Sequence, residues 1–152
     1  MMAAGEVGLV RLEKKHIPAI KEHLKALNER DRRYRFSIPV SDGFIDRYVD
    51  LLDWDLDYFF GVVDNGEVLA FGHLARIFDT AEFGVSIDKR FRGNGIGKAM
   101  LHYAVNWGKE RGLNKVCSHC LAINGPMLHI ALEAGFNIKT ELGERDAWII
   151  LD

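Results

Sequence analysis

The 152-residue sequence predicts an α/β fold in which a central mixed, mostly antiparallel sheet carries helices on both faces, in the order βααβββαβαββ. Three observations predict it. Runs rich in β-branched and aromatic residues alternate with period two through the middle of the chain. Segments with apolar residues at helical spacing flank them. The breaks between the two kinds of segment fall on glycine, proline, asparagine and aspartate, the residues that stop helices and make tight turns. A chain of this length closes one core without disulfide support, so residues 1–152 are expected to form a single domain.

The elements follow in order. After a loose start over residues 1–5, residues 6–12 alternate as a first strand. Pro18 suits the first turn of a helix, and Ile17, Ile20, Leu24 and Leu27 recur on one face, the helix ending near residues 28–31. The segment Arg30-Asp31-Arg32-Arg33-Tyr34-Arg35-Phe36 has no apolar period and is expected either as a solvated loop with stems packed on the domain or as a functional segment. Ser41 is placed to cap a second helix with Phe44, Tyr48, Leu51 and Leu52 on one face. That helix and its sequel carry Asp46, Asp50, Asp53, Asp55 and Asp57, which form either a solvated acidic face or a rim that attracts cationic amines.

Residues 58–63 and 67–78 are β-rich and joined by Asp64-Asn65-Gly66, a strong hairpin signal because both turn residues tolerate positive φ. Asp79-Thr80 makes the next turn and residues 81–87 the next strand. Ile96, Ala99, Met100, Tyr103 and Trp107 form the stripe of a helix that stops at Arg111-Gly112. Residues 115–121 are strand. Pro126 opens another helix, with Met127, Ile130, Ala131 and Ala134 on one side and Gly135 as its stop. Residues 137–142 and 145–151 close the sheet as a hairpin around Gly143, offering an edge on which a homodimer can form.

Composition bounds the partners. A hydrophobic fraction of 48%, a charged fraction of 28% and a net charge of −2 are those of an ordinary soluble protein and give no support to general nucleic-acid binding. No apolar run reaches membrane-spanning length and the start lacks the apolar region of a signal peptide, so a cytoplasmic protein with no membrane partner is expected. Cys117 and Cys120 stand three apart on a strand, so their sulfurs point to opposite faces; free thiols are expected, and no metal.

The chemistry concentrates after the strand 81–87. Phe83, Val85 and Ile87 alternate up to the charged Asp88-Lys89-Arg90, and Arg92-Gly93-Asn94-Gly95-Ile96-Gly97-Lys98 leads into a helix. A strand, a glycine-rich turn and a helix N-terminus in that order make an anion site: glycine permits close backbone approach, and the first helical N–H groups face the ligand. A dinucleotide fingerprint fails because its third glycine falls on Lys98, and a P-loop fails because Gly97-Lys98 is followed by Ala99 and its leading position is Arg92. These failures disfavour an NAD- or ATP-binding protein.

Arg-x-x-Gly-x-Gly fits instead, as Arg92 to Gly97, and resembles the acetyl-CoA pyrophosphate loop of the GNAT N-acetyltransferase superfamily. A second block, Asn124-x-x-Met127-x-x-x-Ala131-x-x-x-Gly135-Phe136, is similar to that family's fourth-helix pattern, and the element order is the layout of the GNAT fold. The Asp31 to Phe36 segment resembles one in bacterial members near the protein-lysine acetyltransferases. The resemblance implies that strand 81–87 splays from strand 115–121 and that the pantetheine arm of acetyl-CoA lies in the opening, bonding to backbone near Val85, Ser86 and Ile87. It implies that the amides of Gly93, Asn94, Gly95, Ile96, Gly97 and Lys98 hold the pyrophosphate, with Arg92 beside it. Asn124 would contact the cofactor arm or fix the start of its helix. The implied function is acetyl-CoA-dependent transfer to a primary amine, on a small molecule or a protein lysine, directly in a ternary complex. The alternative is a non-catalytic CoA-binding sensor.

Such a transfer requires a neutral amine, whereas a lysine-type amine has a pKa of about 10.4, so a base is needed. Strand alternation puts Glu82 on the face of Gly84 and Ser86, opposite Phe83, Val85 and Ile87. In the family a carboxylate at this point often serves as base, which makes Glu82 the candidate. Many members carry a tyrosine acid seven residues after the helix asparagine; here that position is Ala131. Either the thiolate, with a thiol pKa of about 8.5, leaves unassisted, or His119, His129 or Cys120 takes the role. His73, on the third strand, is a candidate for lining the amine side.

Overall fold

A computed structural model describes residues 8–121 and 125–152, with side chains at all of these except 120, 121, 125 and 126. The elements are β1 (Val10–Arg11), α1 (Ile17–Lys25), α2 (Glu29–Phe36), α3 (Asp42–Asp50), β2 (Tyr58–Asp64), β3 (Glu67–Ile77), β4 (Thr80–Ile87), α4 (Ile96–Glu110), β5 (Lys115–Leu121), α5 (Gly125–Glu133), β6 (Asn137–Glu141) and β7 (Glu144–Ile150). The strands form one sheet in the order β1-β2-β3-β4-β5-β7-β6. Every neighbouring pair is antiparallel except β4 and β5.

That parallel pair positions the site. β4 pairs with β3 along its whole length, from Ile77↔Thr80 to Ala70↔Ile87. With β5 it pairs only at Thr80↔Lys115, Ala81↔Val116 and Glu82↔Cys117. Beyond Glu82 the two strands part, and residues 83–87 face a wedge, as the family resemblance implied.

Period-two alternation sorts the core into two layers. Phe59 and Phe60 are adjacent and both fully buried, yet they belong to different layers. Phe59 packs with Leu12, Ile20, Leu24, Ile45 and Val49 under α1 and α3. Phe60 packs with Phe83, Met100, Leu101 and Trp107 under α4. The hairpin at Asn65-Gly66 has φ of 48° and 79°, as its sequence required. Among the described residues no helix is long and apolar enough to cross a membrane.

The expected element order gains one helix. The basic-aromatic segment is α2, for which a loop was one expectation. Its only buried residue is Asp31, so an apolar stripe does not hold it. Polar anchors do: the Asp31 amide donates to Asn28 Oδ1 at 2.8 Å, a side-chain cap. The Arg32 guanidinium donates to the carbonyls of Leu27, Val40 and Lys25 at 3.0, 3.1 and 2.7 Å. Ser41 caps α3 through Phe44 N–H, as expected, but the buried face is Ile45 and Val49, and Phe44 and Leu51 are exposed. The acidic rim is also corrected at two positions. Asp46 pairs with Lys25 at 2.7 Å and Asp50 with Lys21 at 2.8 Å, so both carboxylates face lysines of α1.

Candidate functional site

The end of β4, the loop after it and the start of α4 line a cavity of about 650 Å³, closed on its other sides by α2 and α5. Val85, Ser86, Ile87, Arg92, Gly93, Gly95, Ile96, Gly97 and Lys98 all line it. Gly93 and Gly95 have φ of 83° and 76°, the left-handed region that a side chain makes costly, and Gly95 is the N-cap of α4. With no side chain at the cap, the first amides of a 15-residue helix face the cavity mouth.

The remaining residues of the anticipated set sit differently. Asn94 does not line the cavity; its side-chain amide donates back to Phe91 O at 3.2 Å and braces the loop. Asn124 lies outside the described residues. The Arg92 guanidinium donates to Ile87 O through Nε and Nη2, at 3.1 and 2.9 Å, and pairs through Nη2 with buried Asp31 at 3.0 Å. It thereby ties the loop both to β4 and to α2.

On the opposite face of β4, Glu82, Gly84 and Ser86 project toward α1 and α2. The Ser86 hydroxyl lies 2.8 Å from His23 Nε2, and burial holds the His23 imidazole down to about 4, against the upward pull of Asp88. The Arg35 guanidinium lies over Gly84, where an added Cβ would come within 2.8 Å of Arg35 Cζ. Arg35 Nη2 donates to Tyr48 Oη at 2.7 Å, Tyr48 Oη lies 2.7 Å from His73 Nδ1, and His73 Nε2 lies 2.7 Å from Asp57 Oδ2. One direction satisfies every group: Arg35 to Tyr48, Tyr48 to His73, His73 to Asp57. It needs a neutral imidazole protonated at Nε2, and burial pushes the His73 pKa down, which favours that form. His73 therefore forms a wall with both nitrogens engaged.

A second cavity, of about 260 Å³, is lined by Arg35, Phe36, Ser37, His73, Glu82 and His119 among others, and Arg35 borders both cavities. Arg35 Nε is buried without a hydrogen-bond partner among the described residues. Glu82 is partly exposed, with Oε1 3.8 Å from His119 Nε2, and His119 Nδ1 lies 2.5 Å from Asp146 Oδ1. Cys117, beside them, is a free thiol whose pKa is raised by burial and then by the Glu82 charge.

The alternative acids separate. Ala131 is buried in the core layer under α4. His129 lines the larger cavity and pairs with Glu133 at 3.0 Å. β5 carries Cys120, whose side chain lies outside the described residues. Sequence reasoning missed Tyr48 and Asp146 as site residues, and noted Asp57 only within an acidic face or amine-attracting rim. Arg35 was noted only as part of a basic segment.

A sheet parted at a parallel pair, with a glycine-rich turn and a helix N-terminus at the parting, makes an anion cradle beside open strand backbone. Residues 22–136 match the acetyltransferase (GNAT) family. The chain belongs to that family and is an N-acetyltransferase, of a kind that draws on acetyl-CoA. No curated protein matches the sequence. The structure is similar to the GNAT domain of S. lividans PAT, with a TM-score of 0.80 at 20% identity over 94% of this chain and 89% of that one. It is similar to spermidine N-acetyltransferase from Vibrio cholerae, solved with CoA and spermine, with a TM-score of 0.77 at 20% identity over 96% of both chains. Ribosomal-protein-S18-alanine N-acetyltransferase from Escherichia coli gives a TM-score of 0.70 at 19% identity, over 95% of this chain and 92% of that one. At these identities the likeness is one of fold.

Proposed function

We propose that this acetyltransferase moves the acetyl group of acetyl-CoA directly onto a primary amine, on a small molecule or a protein lysine, with both substrates bound at once. The observation that carries the reading is the pair of cavities that Arg35 borders: the larger holds the glycine-rich turn, the smaller holds Glu82. The amides of Gly93, Gly95, Ile96, Gly97 and Lys98 hold the pyrophosphate, with the Lys98 and Arg92 charges beside it and Asn94 bracing the loop from outside the cavity. The backbone of Val85, Ser86 and Ile87, unpaired on the β5 side, takes the pantetheine arm as it would a strand. Asn124 contacts that arm or fixes the start of α5. The fold relatives named for a polyamine and for a ribosomal-protein alanine acetylate amines, which supports an amine acceptor here.

Glu82 supplies the base. An amine of pKa about 10.4 is neutral in only about one molecule in 2,500 at pH 7, a handicap of about 5 kcal/mol. Glu82, directly or through a water, takes the ammonium proton. The neutral nitrogen then bonds to the thioester carbonyl carbon, the carbon–sulfur bond breaks, the nitrogen gives up its surplus proton to solvent, and the departing thiolate takes a proton from solvent. With alanine at position 131, a thiol pKa of about 8.5 makes unassisted departure tolerable.

Thermal shift with acetyl-CoA, CoA, ATP and NAD tests the cofactor half; stabilisation by the CoA compounds alone is expected. Thiol release over a panel of polyamines, lysine peptides and aminoglycosides tests the acceptor half, and silence from all of them refutes it. Glu82→Gln should lower kcat by about 100-fold or more while leaving acetyl-CoA affinity unchanged. Turnover equal to wild type across the pH range removes Glu82 from the mechanism.

A further inference from the structure

We propose that Glu82, Cys117 and His119 bind a borderline-soft divalent metal ion, Zn²⁺ being the fitting one, and that the bound metal shuts off acetyl transfer. The strand register brings the three together. Cys117 and His119 stand two apart on β5 and so share a face, and Glu82 is the β4 partner of Cys117 at the last pair before the strands part. One ligand atom from each lies within 4.8 Å of the other two. A tetrahedral zinc site with bonds of 2.0 to 2.3 Å has edges of about 3.5 Å. Glu82 Oε1 and His119 Nε2 already stand 3.8 Å apart, so closing the site takes rotamer adjustments of about 1 Å among the three side chains.

The donor set selects the metal. Thiolate, imidazole and carboxylate together suit Zn²⁺, whereas Mg²⁺ and Ca²⁺ take oxygen ligands alone. The orientation of His119 is a separate observation. Asp146 is its Cα partner on β7, and Asp146 Oδ1 lies 2.5 Å from His119 Nδ1. An Nδ1–H donated to Asp146 leaves the Nε2 lone pair on the Glu82 side, the carboxylate–histidine arrangement that presents imidazole to a metal. Nε2 and Glu82 Oε1 are 3.8 Å apart, too far for a hydrogen bond, so two electron-pair donors converge on a gap that a cation fits. Three protein ligands leave one coordination position, on the side of the cavity that Glu82 and His119 line.

The metal partners of Cys117 are thus the residue two along on β5 and the residue beside it on β4. On binding, the Cys117 thiol proton passes to solvent and the sulfur bonds to the metal. The carboxylate that would take the amine proton becomes a ligand, so transfer stops. The inhibitory half rests on the proposed role of Glu82; the binding half does not.

The test uses the full chain after dialysis against a chelator. Titration with Zn²⁺ by calorimetry should give one equivalent per chain, and Co²⁺ should give a thiolate-to-metal charge-transfer band. Cys117→Ser should abolish the band and weaken Zn²⁺ by about 100-fold or more, and Asp146→Asn by about 10- to 100-fold. Cys120→Ser should leave both signals intact. Zn²⁺ should inhibit the wild type reversibly with EDTA, while Cys117→Ser retains metal-free turnover and resists inhibition. Absence of stoichiometric binding overturns the proposal, as does binding that survives Cys117→Ser or is lost with Cys120→Ser or His129→Gln. Stoichiometric, Cys117-dependent binding by a chain that acetylates no amine supports the site and refutes the proposed function instead.

Discussion

Replacing His23 by glutamine should make the protein less sensitive to mild acid. His23 is 5% exposed on α1, with Nε2 against the Ser86 hydroxyl of β4. Burial is the largest influence on its imidazole; Arg35 pushes the same way, Asp88 the opposite way, and the folded value is about 4. In the unfolded chain the ordinary value of 6.5 applies. Between the two, the unfolded chain binds the proton and the folded chain does not, so stability falls with falling pH. The contribution is undiminished above pH 6.5, erodes through the window and levels off below about 4. The whole effect is about 3 kcal/mol, of which about 2 kcal/mol is lost by pH 5.

The assay is urea unfolding followed by tryptophan fluorescence between pH 7 and pH 5. Glutamine places its amide nitrogen near the former Nε2 and keeps a partner for Ser86, but carries no titrating group. Asp88 and the other carboxylates titrate in both proteins and cancel in the difference. At pH 7 the variant should be the less stable by about 1 kcal/mol, the value of one imperfectly replaced hydrogen bond. By pH 5 the wild type should have lost about 2 kcal/mol more than the variant, equivalent to about 4 to 8 °C for a chain of this size. Parallel stability curves for the two proteins would refute the burial argument.

Two further substitutions probe the loop and the junction of the cavities. Gly95→Ala, at φ 76°, should cost about 1 kcal/mol and shrink the thermal stabilisation by acetyl-CoA; an undiminished shift in scanning fluorimetry counts against the turn as the cofactor cradle. Gly84→Ala puts a Cβ 2.8 Å from Arg35 Cζ, so the guanidinium must leave its bond to Tyr48. Stability should change by less than about 1 kcal/mol, because the displaced group is the end of a flexible side chain. Steady-state kinetics should show the amine KM rising more than that of acetyl-CoA; equal or absent changes would mean that Arg35 does not shape the smaller cavity.

The sequence carried β2 to β7 and their turns well because their signals are local, whereas the first strand, expected over residues 6–12, is only Val10–Arg11 among the described residues. Asn65-Gly66 and the alternation around Glu82 need no knowledge of neighbours. α2 was illegible because its anchors are an asparagine cap and an arginine bonded to three carbonyls, which leave no apolar period. In α3 two stripes overlap, and only the end of the helix at Asp50, which leaves Leu51 outside, selects Ile45 and Val49. The site divided in the same manner. Glu82 and the glycine turn were legible from one segment, whereas Asp146 meets His119 only through the β5–β7 register and Tyr48 meets Arg35 only once α2 packs beside α3.

β4 itself explains why the candidate base stands where it does. Its inward residues Phe83, Val85 and Ile87 pack toward α4, while each residue on the other face meets a different neighbour: Ser86 the histidine of α1, Gly84 the arginine of α2, Glu82 the histidine of β5. Of those three, only Glu82 still has a strand partner on both sides, Ala75 on β3 and Cys117 on β5. A carboxylate at the apex of the wedge is held by two ladders, while the backbone one turn of the pleat further on keeps open groups on the β5 side. In the proposed function, a fixed base and a ligand that needs unpaired backbone would thereby be served by nearby residues of one strand. Moving the parting point by a single pair would deprive the first of its rigidity or the second of its free edge.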